Sequence, residues 1–319
     1  MKSSNSSKGN IKLSVGTRLF DSGLEDRKIG LDIVVIGDFA RDQLVYRGRR
    51  ETSSGGSVYY GAIALRRIGL RTAVITRLAS QDFYLLEDLR REGVLVYAQV
   101  ASQTSGIENI YTTENMDRRI CHLLGFAGPF DPKEIPRLSA HVFLVGPIMA
   151  GIVDIHLLRM FSNMGNVALD AQGFVRIQKA DDFLLTDWPE KEKGLSLVKV
   201  LKVDDVESEL LTGEKDRFKS IKRLSNYGPS EIMLTHSDGV MVYAEGEFYE
   251  APFMPRKIVG RTGRGDTCFA TYLGKRLTSS PKEACKFAAA ATSLKLENPG
   301  PLSVSVEEVQ RLAGTLVTR

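Results

Sequence analysis

A chain of 319 residues with 43% hydrophobic content can bury one large core, and a single α/β domain with a small appendage is the expected organisation. Its 43 basic and 39 acidic residues nearly cancel to a net charge of +4, and no basic tract with interleaved aromatics occurs, so nucleic acid is excluded as a partner. No stretch of about 18 consecutive apolar residues exists, which excludes a membrane span, and Cys121, Cys268 and Cys285 stand far apart without metal-ligand spacing, so a reduced, cytoplasmic setting is expected.

Residues 1–29 open with a Ser/Asn/Lys-rich stretch in which Lys2, Lys8, Lys12 and Arg18 precede the first acid, Asp21, and they lack the apolar core of a secretory signal. An N-terminal extension outside the fold is predicted, with an organelle transit peptide as the alternative. From Leu31 onward short apolar runs alternate with amphipathic stretches, the pattern of a largely parallel sheet covered by helices. Residues 33–36, 73–76, 142–145, 167–169, 197–203 and 232–234 read as buried strands. Residues 57–68, 83–91, 153–163, 206–211 and 217–225 read as helices. In a last helix over 282–296, Ala284, Phe287, Ala288, Ala291 and Leu294 recur at helical spacing, which marks a core-facing stripe. Two regions break the alternation. Residues 43–52 and 94–124 are rich in β-formers with partial period-two character, among them Val94, Val96, Tyr97, Val100, Ile107, Ile110, Tyr111 and Ile120. They predict either a small sheet projecting from the main domain or a pair of ordinary hairpins.

The most informative segment is residues 259–267, Val-Gly-Arg-Thr-Gly-Arg-Gly-Asp-Thr, a glycine-rich turn running into a helical stretch over 268–277. Gly263 and Gly265 let backbone N–H groups converge, and a following helix adds free N–H groups and a positive dipole end, which suits an anion. Asp266, in the first helical turn, is placed to accept a proton from an attacking hydroxyl. A glycine-rich loop with an acid that merely caps is the alternative. No Gly-Lys-Ser/Thr follows, which argues against a P-loop fold.

Order along the chain separates these readings. The turn resembles the G-A-G-D signature of the ribokinase-like, or PfkB, family of carbohydrate and nucleoside kinases, with Arg264 at the usual Ala and Gly260-Arg261 at the usual opening Asp-Thr. Four further segments agree. Ile36 to Asp42 resembles the family's first strand, with Asp42 aligned to the substrate-binding Asp, and Gly55 to Ala62 resembles its Gly-Gly segment, with Tyr60 where Asn is typical. Residues 78–94 resemble the helix and turn before the lid, and Asp204-Asp205-Val206-Glu207 resembles the Asn-x-x-Glu motif.

The resemblance implies a ribokinase-like α/β fold over residues 30–315, including a β lid from about 43–52 and 94–124 whose exposed face often makes a homodimer contact. It implies an ATP-dependent small-molecule kinase. Asp266 is then the catalytic base, and the N–H groups of Gly263, Arg264 and Gly265 form the anion hole. Asp42, Gly55 and Gly56 hold a polyhydroxylated substrate. Asp204 and Glu207 orient Mg²⁺ through water, although on spacing alone they read as a helix N-terminal acid cluster. Thr235, Ser237 and Gly239 resemble the family's nucleotide turn, and Asn298 either edges the adenine pocket or simply stops a helix. Asp170, Gln172 and Arg176 form a D-x-Q-x-x-x-R stretch resembling the inositol-kinase-like branch, so a cyclic polyol such as myo-inositol leads, with a sugar or nucleoside as alternatives. A non-catalytic sugar- or nucleotide-binding sensor of the same fold is the reading from a different class.

Overall fold

The computed structural model describes residues 30–112, 119–179 and 182–318. Its strands in chain order are β1 (Leu31–Ile36), β2 (Ala40–Tyr46), β3 (Arg49–Gly55), β4 (Thr72–Ala79), β5 (Leu95–Ala101), β6 (Gly106–Tyr111), β7 (Arg119–Gly125) and β8 (Ala140–Val145). They continue as β9 (Asn166–Asp170), β10 (Arg176–Lys179), β11 (Asp182–Leu185), β12 (Val200–Asp204), β13 (Glu231–Thr235), β14 (Gly239–Ala244) and β15 (Glu247–Pro252). The helices are α1 (Ser57–Arg67), α2 (Glu87–Arg91), α3 (Ile155–Met164), α4 (Gln172–Val175), α5 (Lys191–Leu195), α6 (Asp205–Thr212), α7 (Arg217–Ser225), α8 (Arg264–Arg276), α9 (Pro281–Leu296) and α10 (Val306–Thr315).

Near-continuous apolar runs such as Val34-Val35-Ile36 are what a parallel strand needs when helices cover both of its faces. Ile33 and Val35 of β1 pack into one core with Leu65 of α1, Phe269 of α8, Ala288 of α9 and Val309 of α10. Val34 and Ile36, one residue out of phase, pack into a second core with Phe161 of α3, Leu211 of α6 and Leu224 of α7. The result is a nine-stranded sheet between two helical layers, in the order β15-β14-β13-β12-β9-β8-β1-β4-β5. It is parallel except for the antiparallel β13-β14-β15 margin. A separate four-stranded sheet, β3-β2-β6-β7, stands beside it, with β2 parallel to β6 and the other pairings antiparallel.

Several expectations change. The small projecting sheet exists, but its expected stretch over 94–101 is not part of it: β5 pairs in parallel with β4 at the margin of the main sheet. Leu95 and Tyr97 are exposed while Gln99 and Ala101, on the same face, are buried and Val100 opposite them is exposed, so the covered face of β5 changes along its length, as it can at a sheet margin. β-formers are common to both sheets, and composition alone cannot say which sheet a strand joins. The helix over 83–91 is a 3₁₀ turn (Ser80–Leu86) followed by α2, and α8 starts at Arg264 rather than at 268. Strand β12 begins at Val200, three residues later than expected. The extension over 1–29 and the part of the lid segment at 113–118 lie outside the described residues. No helix among the described residues is long and apolar enough to cross a membrane.

Candidate active site

In a parallel sheet the carboxyl ends of the strands share one edge, where ligands bind in open α/β folds. Here that edge carries Asp170 at the end of β9, Asp204 at the end of β12 and Thr235 at the end of β13. Facing them, α8 begins with Arg264-Gly265-Asp266, and the small sheet contributes Asp42, Asn109 and Tyr111. These residues, with Gly56, Tyr60, Gln172, Arg176, Lys202 and the turn Arg261 to Gly263, line a cavity of about 270 Å³.

Gly263 is the N-cap of α8 with φ of 77°, and a Cβ there would stand 2.2 Å from the Tyr60 ring, so only glycine fits. The N–H groups of Gly263 and Gly265 donate to no carbonyl among the described residues, whereas the Arg264 N–H donates to the Arg261 carbonyl at 3.2 Å. Two of the three amides named from sequence are therefore open to an anion and the third is shared. The Arg264 guanidinium lines the cavity with its carbon 5.9 Å from the centre of the Phe253 ring, which joins the charged and packing roles in one side chain.

Asp266 lies deep in the first turn of α8. Burial raises its pKa, the neighbouring Asp170 raises it further, and the Ser57 hydroxyl, which donates to Oδ1, and Lys202 hold it partly down. A carboxylate tuned upward in this way is a better proton acceptor while still ionised. Ser57 starts α1, so the N-termini of α1 and α8 meet at this carboxyl.

Lys202, in the middle of β12, is almost completely buried, with Nζ 3.0 Å from Asp170 Oδ1 and 3.6 Å from Glu207 Oε2. Burial pulls its pKa down, but Asp170, Glu207 and Asp204 push it further up, so it stays protonated. A Cβ on Gly265 would stand 3.5 Å from this ammonium, which places the charge beside the anion turn.

Asp204 and Glu207 form a reciprocal capping box on α6: Asp204 Oδ1 accepts the Glu207 N–H and Glu207 Oε2 accepts the Asp204 N–H, each at 2.8 Å. Asp204 also faces the cavity, while Glu207 is turned away from it toward Lys202. No group of three or more His, Cys, Asp or Glu side chains among the described residues is arranged to hold a metal ion. Orienting Mg²⁺ through water needs no such group: Asp204 lines the cavity, whereas Glu207 already has Lys202 3.6 Å away as its cation.

On the substrate side, Asp42 Oδ1 accepts the Ile107 N–H of β6 at 2.8 Å. Gly55 lies behind it, where a Cβ would press within 2.5 Å of Oδ2, so this glycine is what lets the carboxylate turn inward. Arg176 donates to Gln172 Oε1 at 3.0 Å and stacks 4.9 Å from the Phe183 ring, so both line the cavity as one preset unit. Tyr111 comes within 3.4 Å of the Thr262 hydroxyl, linking the small sheet to the anion turn.

Of the nucleotide residues named from sequence, Thr235 lines the cavity. Ser237 and Asn298 are exposed and Gly239 is packed against the Ala251 carbonyl, and none of the three belongs to the lining. Sequence reasoning named Asp170 only as part of the D-x-Q-x-x-x-R stretch and gave no site role to Ser57 or Lys202. A lysine inside the buried run of β12 was the available signal, since lysine is almost never fully buried without a partner.

With this geometry in hand, comparison with known proteins is decisive at the family level. The sequence profile of the pfkB family carbohydrate kinases matches residues 28–308. A cytidine kinase of Thermococcus kodakarensis is 27% identical over 269 residues, spanning 80% of this chain and 92% of that protein. The solved structure of a pyrophosphate-dependent kinase in the ribokinase family, complexed with a pyrophosphate analog and myo-inositol, is 36% identical and superposes with a TM-score of 0.80, covering 87% of this chain and 99% of that one. Arabidopsis thaliana ribokinase, complexed with ribose and ATP, shares the fold at a TM-score of 0.71 and 20% identity, covering 89% of this chain and 99% of that one. An Asp at a helix N-terminus behind a glycine turn, on the carboxyl edge of a sheet of this order, is the arrangement of a small-molecule kinase acting on hydroxyls, and the chain belongs to the pfkB family of carbohydrate kinases.

Proposed function

We propose that this kinase phosphorylates a hydroxyl of a small cyclic polyol, with myo-inositol as the first candidate, and that its donor is inorganic pyrophosphate. The observation that carries the donor assignment is the cationic lining of the anion turn. Arg261, Arg264 and Lys202 all border the cavity beside the open N–H groups of Gly263 and Gly265. The Arg261 Nε is buried and meets no acceptor among the described residues, and buried donors are rarely left unpaired. A compact, highly charged donor suits that lining, whereas Ser237 and Asn298, the residues expected at a base, stand outside it. The 36% identical pyrophosphate-dependent kinase complexed with myo-inositol supports both halves of the reading.

In this mechanism Asp42, Gln172 and Arg176 orient the polyol through its hydroxyls, and Gly56 allows close approach. Asp266 accepts the proton of the reacting hydroxyl as its oxygen attacks the terminal phosphorus. The P–O bond to the leaving phosphate breaks, so phosphomonoester and orthophosphate form in equal amounts. The amides of Gly263 and Gly265 hold charge on the transferring group, and Arg261 and Arg264 hold the donor. Turnover should be compared with pyrophosphate and with ATP as donor, each against myo-inositol, other polyols, sugars and cytidine. Pyrophosphate with myo-inositol is expected to be the best pair. Turnover with ATP alone would overturn the donor assignment, a preference for cytidine would overturn the acceptor, and binding without turnover on any pair would favour a sensor.

A further inference from the structure

Lys295 is the last residue but one of α9, and only 1% of it is exposed. No carboxylate lies within ion-pair distance of it among the described residues. Instead its Nζ donates to the Gly260 carbonyl at 2.8 Å and the Thr262 carbonyl at 2.5 Å, and sits 5.3 Å from the centre of the Tyr60 ring. An ammonium buried with no direct ion pair, and only the more distant charge of Asp266 to favour it, is costly, and a leucine or methionine would fill the same helical position without that cost. What the cation does is fixed by peptide geometry. In a trans peptide the C=O and N–H point in opposite directions, and the chain has no cis bond among its described residues. Drawing the Thr262 carbonyl toward α9 therefore turns the Gly263 N–H the other way, and Gly263 lines the cavity. The same holds for the Gly260 carbonyl and the Arg261 N–H.

We propose that Lys295 is a positioning residue, a built-in cation that sets the Thr262–Gly263 peptide plane so that the Gly263 N–H faces the transferring phosphoryl group, and that anchors the start of the turn through the Gly260 carbonyl. This rests on the phosphoryl-transfer reading of the site. Lys295 touches neither substrate nor donor; it acts through the Gly260 and Thr262 carbonyls. A second cavity, of about 620 Å³, is bordered by Lys295, Gly260, Thr262 and Tyr60 on the far side of the turn, so a small amine can reach the position that the side chain leaves.

That access makes chemical rescue the test. Lys295→Ala is assayed for turnover and for pyrophosphate and myo-inositol binding by calorimetry, alone and with ammonium, methylammonium or tetramethylammonium chloride. Loss of one oriented donor in such a hole typically lowers kcat by roughly 10²- to 10³-fold, and a loss of that order is expected here with myo-inositol affinity nearly unchanged. Ammonium and methylammonium should restore at least about tenfold, and tetramethylammonium, which has the charge but no N–H, should not. Turnover and pyrophosphate affinity close to those of the parent in the alanine variant, or a loss that no amine recovers, would overturn the proposal. Lys295→Met keeps the stem and serves if the alanine variant unfolds: folded but slow supports the proposal, whereas unfolding, or folding with parent turnover, makes Lys295 a packing residue. A parent protein that neither binds pyrophosphate nor turns over would instead bring down the reading of the site itself.

Discussion

Asp266 can be tested as a base without disturbing shape. Asp266→Asn is expected to lower kcat by ~10²- to 10⁴-fold while calorimetry shows polyol binding largely kept. Near-parent turnover would remove Asp266 from the chemistry. Because burial raises the Asp266 pKa, the acidic limb of the rate profile should lie above the ordinary carboxylate range, with activity falling as pH drops through it. Arg264 gives a second test. If its guanidinium pairs with a donor oxygen, a bond worth about 1.5–3 kcal/mol, Arg264→Ala should raise the donor KM or lower kcat by about 10- to 100-fold with folding intact. Unchanged donor kinetics would leave only its packing on Phe253. At this scale the sequence was readable where the chemistry is local. Gly263, Gly265 and Asp266 follow one another in a turn whose backbone needs announce themselves. Ser57, Lys202 and Lys295 reach the same place from α1, β12 and α9, and no local pattern ties a residue to a partner so distant along the chain.

Among the elements, β2 carries Asp42 into the cavity and β6 holds it there through the Ile107 N–H. Asp42→Ala should therefore weaken polyol binding far more than pyrophosphate binding, and calorimetry showing the reverse would move Asp42 out of the acceptor site. Element type was largely legible because buried parallel strands need apolar runs and their crossover helices need apolar stripes. Membership was not: β5 and the small-sheet strands are alike rich in β-formers, and only pairing with β4 assigns β5 to the main sheet. The Asp204 and Glu207 pair shows the same limit for function. On spacing alone they read as a helix N-terminal acid cluster, which they form as a reciprocal capping box, and only the family resemblance made them a metal-orienting pair.

Across the whole molecule, pH should act on stability through Asp38, fully buried at the end of β1. Burial raises its pKa from 3.8 to about 6, although the Ser105 hydroxyl, the Ile148 N–H and Arg176 pull it down. The folded state therefore holds this proton over a range in which the unfolded chain has lost it. Stability is highest below the unfolded value and declines as pH rises through about 6, by roughly 3 kcal/mol for a shift of this size. Asp38→Asn, whose amide oxygen can still accept the Ile148 N–H, should flatten the fall in Tm between about pH 4 and pH 6.5. A parent and variant with parallel Tm profiles would contradict this.

The central claim is direct transfer from pyrophosphate to a polyol hydroxyl at Asp266. Phosphorus NMR of the parent protein with pyrophosphate and myo-inositol tests it most directly. A phosphomonoester signal and an orthophosphate signal are expected to grow mole for mole as pyrophosphate declines. Orthophosphate without ester, or ester formed from ATP and none from pyrophosphate, would contradict it.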